Sequence, residues 1–162
     1  MTPLRTPRLT GAPVRPADAR FLAALFGDPD VAAASEQAGR PWTLARARTR
    51  AAAFAAHWTA HGFGLRVWRD DRGPVALAGL QYCIIAGRAE VELSFAVAPD
   101  RQGLGLGREA AAAALAEAPA LTAGVAAVTW EANAPARALL RSLGFRPEGA
   151  AHAGRLLLRW TP

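Results

Sequence analysis

The sequence predicts an α/β (α+β) domain in which helices flank a mixed, mostly antiparallel central sheet, in the order β-α-α-β-β-β-α-β-α-β-β. Three observations carry this expectation. Apolar residues in two early segments recur at helical spacing, the period changes to two after Gly62, and short turn sequences join the strand-like runs that follow. A chain of 162 residues is long enough for one core and too short for two ordinary domains, so one domain over residues 1–162 is expected.

Arg8 to Val14 reads as a short first strand, weakened by Gly11 and Pro13. "PADARFLAALFGDP" follows as a helix with Asp18 in its first turn, a stripe of Phe21, Leu22, Leu25 and Phe26, and Gly27 as its stop. "PWTLARARTRAAAFAAHWTAHG" is a second helix, opened by Thr43 and closed by Gly62, with Leu44, Ala47, Ala51, Phe54 and Trp58 on one face. "FGLRVWRD" and "PVALAGLQYCII" are strand-like and joined through "DDRG"; "AGR" leads on into "AEVELSFAVAP". That third strand puts Glu90, Glu92 and Ser94 on one face and Val91, Leu93, Phe95 and Val97 on the other. A glycine-rich loop, an alanine-rich helix to about Ala118 and the strand "GVAAVTW" come next. "NAPARALLRSLGF" is a helix from Asn133 to Gly144, and "FRPEGAAHAGRLLLRWTP" closes as a two-stranded hairpin.

Composition narrows the function classes. Half the residues are hydrophobic (52%) and a fifth charged (20%), the balance of a soluble globular chain. The single cysteine, Cys83, excludes an intramolecular disulfide, makes a reducing cytoplasm the expected setting, and reads most simply as a buried small hydrophobe. The start lacks an apolar run of the signal-peptide kind, and Glu117 and Pro119 interrupt the most apolar later stretch, so no membrane partner is expected. The net charge of +6 comes entirely from arginine and follows a surplus of Ala, Pro and Gly that points to coding bias. The arginines are scattered, without a basic run or a nucleic-acid motif, so a small phosphorylated ligand is preferred to nucleic acid.

"APDRQGLGLGREAAAAAL", from Ala98 to Leu115, places Gly103, Gly105 and Gly107 between a strand and a helix. Glycine permits positive φ and close ligand approach, and a helix start presents unpaired N–H groups backed by the helix dipole. The loop therefore reads as an anion cradle suited to a pyrophosphate rather than a spacer. A P-loop would need a lysine, and this chain has none; a dinucleotide loop would need glycine where Arg108 stands.

"VAPDRQGLGLGREA" resembles motif A of the GCN5-related N-acetyltransferases (the GNAT family), V-x-P-x-x-Q/R-x-x-G-x-G/A, with Val97, Pro99, Gln102, Gly105 and Gly107 in register. "NAPARALLRSLGF" resembles the family's second signature through Asn133, Ala136 and Gly144-Phe145. "TPRL", "PADA", "DPDV" and "VELSFAVAP" are most similar to its RimJ/RimL branch, and the similarity covers essentially the whole chain. The resemblance implies a GNAT-like fold, acetyl-CoA as donor, and as acceptor a small amine or a peptide or protein N-terminus. It implies that Gln102 and the amides of Gly103, Leu104, Gly105, Leu106, Gly107 and Arg108 serve the pyrophosphate. The main chain of Phe95, Ala96 and Val97 would pair with pantetheine as an added strand, the Val97 amide would face the oxyanion, and Asn133 would meet the CoA arm. Arg137 and Arg141 either neutralise CoA phosphates or form a solvated helix face.

Amide formation from a thioester needs a neutral amine, donors for an oxyanion and a departing thiolate. Glu92 is the first candidate for base and Glu131 the second, with an ordinary strand glutamate as the plain alternative for Glu92. Leu140 stands where many relatives carry a tyrosine acid, Val128 where RimI-like enzymes carry a glutamate, and Ala12 where the branch usually has arginine. Tyr82 or a water then substitutes as acid. His57 and His61 have zinc spacing but no evident third ligand, so no metal is expected and a place beside the acceptor cleft, flanking Trp58, is preferred. Trp42, Trp58 and Trp68 are candidates to line that cleft, with core packing for at least one. A homodimer and a non-catalytic acyl-CoA-binding module stay open as alternatives.

Overall fold

The computed structural model describes residues 3–35, 40–151 and 154–162 of the chain. Its order is β1 (Leu4–Arg5), β2 (Thr10–Pro13), α1 (Ala19–Gly27), α2 (Pro29–Ala34), α3 (Leu44–His61), β3 (Leu65–Asp70), β4 (Gly73–Ile85), β5 (Arg88–Val97), α4 (Leu106–Leu115), β6 (Val125–Trp130), α5 (Ala134–Ser142), β7 (Arg146–Ala150) and β8 (Arg155–Trp160). The mixed, mostly antiparallel sheet flanked by helices is as expected, and three details differ. The first strand, expected over Arg8–Val14, shortens to Thr10–Pro13 and pairs with an additional two-residue strand ahead of it, Leu4–Arg5. An additional helix, α2, follows α1, because Asp28 caps it by accepting from the Asp30 and Val31 amides and Pro29 occupies its first turn. Helix α4 stops at Leu115, and Ala118–Ala120 is a separate 3-10 turn.

The eight strands form one sheet in the order β1-β2-β3-β4-β5-β6-β8-β7. Every neighbouring pair is antiparallel except β5 and β6, which meet in parallel at a single registered pair, Glu92 with Ala126. β4 and β5 run together over a ten-residue register from Ala76↔Val97 to Ile85↔Arg88. The closing hairpin forms with β8 inserted beside β6; positions 152 and 153 lie outside the described residues.

Helix α3 follows its sequence signals closely. Thr43 accepts from the Arg46 amide, Gly62 ends the helix at φ +76°, and Ala47, Ala51, Phe54 and Trp58 are buried, while Leu44 stays exposed. With α1 it covers one face of the sheet over Leu65, Val67 and Leu77. Helix α4 covers the other face, where Ala110, Ala111 and Ala114 have no exposure; Ala111 and Ala114 pack among Leu80, Val91 and Leu93, and Ala110 among Trp68, Val75 and Ala76. Alanine at these positions removes bulk and lets the helix axis approach the strands. No helix among the described residues is long and apolar enough to cross a membrane.

Candidate functional site

The site begins where β5 stops. The Ala98 amide donates to Val75 O across the β4/β5 ladder. Main-chain groups in an antiparallel pair alternate in direction, so Ala96 also faces β4, whereas Phe95 and Val97 face the β6 side. Because β5 and β6 part after Glu92, that edge opens into a cleft of about 840 Å³. The expected added-strand role therefore narrows to Phe95 and Val97; the Ala96 peptide is committed to the sheet.

Beyond the edge the chain turns through Pro99–Arg101 into the glycine loop. Gly103 and Gly105 have φ of +74° and +75°, a region L side chains enter only at a cost, and Gly105 is the N-cap of α4 with no side chain capping the helix. The first intrahelical bond of α4 runs from the Glu109 amide to Gly105 O, so the amides before it lack helical partners. Gly107 lies in the first turn against β5: an added Cβ would stand 2.7 Å from Val97 Cγ2. Backbone amides, a helix dipole and a surface free of side chains converge here on one end of the cleft, which fits a pyrophosphate.

Two residues outside the motif hold this loop. Arg8 donates from Nη1 to Leu104 O at 2.8 Å and from Nε to Glu109 Oε2 at 2.6 Å, and its amide donates to Glu109 Oε1 at 2.9 Å. Thr6 Oγ1 donates to the same Oε1 at 2.6 Å. Burial opposes ionisation of Glu109, but hydrogen bonds from Thr6 and Arg8 and the Arg8 charge outweigh it and hold the carboxyl below its ordinary value. "TPRL" holds both residues only as a branch resemblance, with no role for either; an acid in the first turn of α4 is the available signal, but its match lies about a hundred residues upstream.

The remaining expected donor-side residues divide. Gln102 lines the cleft but folds back, donating from Nε2 to Val97 O at 3.1 Å, and so braces the loop. Leu106 and Arg108 line the cleft, with Arg108 Nε donating to Ser142 Oγ of α5 at 3.1 Å. Leu104 is 54% exposed and off the lining; it contributes its carbonyl to Arg8. Asn133 borders the cleft and spends Oδ1 on the Ala136 amide as the N-cap of α5. Arg137 is turned onto Glu131 O at 2.9 Å, and neither it nor the exposed Arg141 is among the lining residues.

Of the three catalytic candidates, only Glu92 borders the cleft. Its side chain is 3% exposed, on the α1–α3 face of the sheet beside Gln81 and Ser94. Glu131 is exposed beyond the end of β6 and outside the lining. Tyr82 pairs with Val91, which puts it on the opposite face from Glu92; its ring packs against His61 and Phe63 with centroids 4.9 and 5.0 Å away. Leu140 lines the cleft as a buried apolar side chain.

The histidine pair also lies away from the cleft. His57 Nδ1 donates to Phe63 O at 2.9 Å, and its Nε2 accepts from the Tyr82 amide at 3.0 Å. Both ring nitrogens are thereby engaged in tying α3 to the edge of β4, and no group of three metal-ligating side chains occurs among the described residues. Trp58 and Trp68 are core residues, whereas Trp42 lines the cleft, stacked on Phe26 at 4.2 Å. With Val31 and Phe54 they supply an apolar part of the cleft lining, which also includes Asp30 and Arg50. Cys83 is only partly buried, because β4 runs on past the end of β3 at this point.

Residues 8–146 match the family model described as an acetyltransferase (GNAT) domain. A protein from Bordetella pertussis assigned to the GnaT acetyltransferase family is 28% identical, with a TM-score of 0.82 over 98% of this chain and 99% of that one. YncA from Salmonella typhimurium, solved with its cofactor acetyl-CoA, is 21% identical, with a TM-score of 0.72 over 95% and 94% of the two chains. RimL, a ribosomal L7/L12 alpha-N-protein acetyltransferase solved with coenzyme A, shares the fold at 10% identity and a TM-score of 0.79 over 99% and 98%. No curated protein matches the chain. Motif, open strand edge and glycine-capped helix agree with these matches: the chain belongs to the GNAT family of acetyl-CoA-dependent N-acetyltransferases.

Proposed function

We propose that the chain, acting as one domain in the RimJ/RimL-like branch, transfers an acetyl group from acetyl-CoA to a primary amine of a small molecule or of a peptide or protein N-terminus. The carrying observation is the single cleft that runs from the glycine loop, along the open edge of β5, to the buried Glu92. Bound acetyl-CoA supplies an acyl thioester. The amides from Gly103 to Arg108 hold its pyrophosphate, and Phe95 and Val97 present main-chain groups along the β5 edge. The Val97 amide, already fixed in the strand, is directed to where an oxyanion develops, and a pre-oriented donor needs no reorganisation during reaction. Glu92 takes the proton that the acceptor amine must lose. Leu140 holds no proton, so no side-chain acid acts from its position; a thiol titrates near ~8.5, and its thiolate leaves without one.

The test is a mass-spectrometric screen of amines and N-terminal peptides with acetyl-CoA, repeated with Glu92→Gln. An acetylated product is expected whose formation falls roughly 10²–10⁴-fold in the variant, with acetyl-CoA affinity nearly unchanged. Tight acetyl-CoA binding with no acetylated amine would refute the reading.

A further inference from the structure

Glu92 is withdrawn from the cleft it serves, whereas Ser94, two residues nearer the open end of β5 and on the same face, is only half-buried and lines the cleft as well. The two are joined. Ser94 Oγ donates to Glu92 Oε2 at 3.3 Å. Gln81, across the ladder from Glu92, donates from Nε2 to Ser94 Oγ at 3.2 Å and reaches Glu92 Oε2 at 3.5 Å. The residue opposite Ser94 is Gly79, where a Cβ would stand 2.4 Å from Gly64 O, so Gln81 reaches diagonally over a position that carries no side chain. A hydroxyl has one proton and two lone pairs. Here the proton is directed to the carboxylate and one lone pair to the Gln81 amide, which leaves the other lone pair for a donor arriving from the cleft.

We propose that Ser94 is a catalytic residue that stands between the acceptor's ammonium group and Glu92 and relays the proton. An N–H bond of the ammonium breaks as its proton passes to Ser94 Oγ, and the Ser94 hydroxyl proton passes to Glu92 Oε2. The result is a neutral amine, an intact Ser94 hydroxyl and a protonated Glu92 carboxyl, with charge conserved. Gln81 is a positioning residue that holds the hydroxyl rotor toward the carboxylate. The inference rests on Glu92 as base. The other charged side chains bordering the cleft are Asp30 from α2, Arg50 from α3, and Arg101 and Arg108 around the glycine loop.

The experiment measures kcat and KM for one acetylated amine from neutral pH up to the amine's own pKa, alongside acetyl-CoA affinity. Ser94→Ala is expected to lower kcat about 100-fold at neutral pH with acetyl-CoA affinity unchanged. The deficit narrows as pH approaches the amine pKa, because the amine then arrives neutral. Ser94→Thr, which keeps a hydroxyl, recovers most of the lost rate. Wild-type kcat in Ser94→Ala overturns the relay, and so does an equal loss in both variants, which would report bulk rather than a hydroxyl. Glu92→Gln separates the two levels. An impaired Glu92→Gln with an intact Ser94→Ala removes the relay alone, whereas an intact Glu92→Gln removes the base assignment and the relay with it.

Discussion

Gly107→Ala adds one methyl at the point where the glycine-capped helix touches β5, the strand proposed to bind the donor. The new Cβ would lie 2.7 Å from Val97 Cγ2 and 3.5 Å from Leu139 Cδ1. Carbon pairs rest at about 3.5–4.0 Å, so the start of α4 must withdraw from β5 by about 1 Å. Overpacking of this kind costs about 1–3 kcal/mol, and alanine in a helix returns about 1 kcal/mol over glycine. The net loss of about 0–2 kcal/mol corresponds to a fall in Tm of no more than about 8 °C for a chain this size. The functional cost is larger, since a misplacement of about 1 Å between elements that jointly hold a reactant lowers rate by about 10². The assay pairs thermal melting with kcat/KM and an acetyl-CoA titration. Gly62→Ala is the control: at φ +76° with no atom within 4 Å, it costs about 1–2 kcal/mol at the end of α3, far from the cradle. A roughly 100-fold loss of kcat/KM is expected in Gly107→Ala and none in Gly62→Ala. Equal losses in the two, or kcat/KM within threefold of wild type in Gly107→Ala, would refute the reasoning.

Tyr82→Phe is expected to change kcat/KM less than about tenfold, since the phenol lies on the face of the sheet away from Glu92; a hundredfold loss with donor binding intact would make Tyr82 the acid after all. Glu109 has its folded pKa below the ordinary 4.5, so its contribution to stability is complete above that value and is lost as pH falls below it toward the folded pKa. Urea melts should therefore show wild type exceeding Glu109→Gln above pH 4.5 and converging with it in stronger acid, and a gap independent of pH would contradict the assignment.

What the sequence disclosed were features whose physics is local. The α3 boundaries were legible because Thr43 and Gly62 act on their own helix ends, and the cradle because glycine is the residue that enters positive φ without a steric penalty, as Gly103 and Gly105 do. Alternation along β5 placed Glu92 and Ser94 together on one face. It did not reveal that the face is covered, because the residues doing so come from α1 and α3. Tyr82 and Glu131 lie outside the cleft lining, which their places in the sequence do not show. Whether Tyr82 faces Glu92 depends on the β4/β5 register, and Gln81 rather than Tyr82 falls opposite it. Helix α2 was missed because Asp28-Pro29 after Gly27 serves equally as a stop and as a new capped start, and only the Asp28 carboxylate's choice of partners decides between them.

The same distinction explains how a glycine-rich turn becomes a rigid cradle. Glycine supplies access and permits the turn, but it also leaves the unliganded loop more conformations to lose. The restraint comes from the N-terminal segment, where Thr6 and Arg8 close on Glu109 and Arg8 also takes the Leu104 carbonyl. Arg8 is half exposed, so the charge pair contributes little to global stability. Its effect is positional: the bonds join the loop to the first turn of α4, fixing the amides before any ligand arrives. Preorganised donors add affinity by removing an ordering cost, so under the proposed function the segment between β1 and β2 serves acetyl-CoA binding although no motif A residue lies in it.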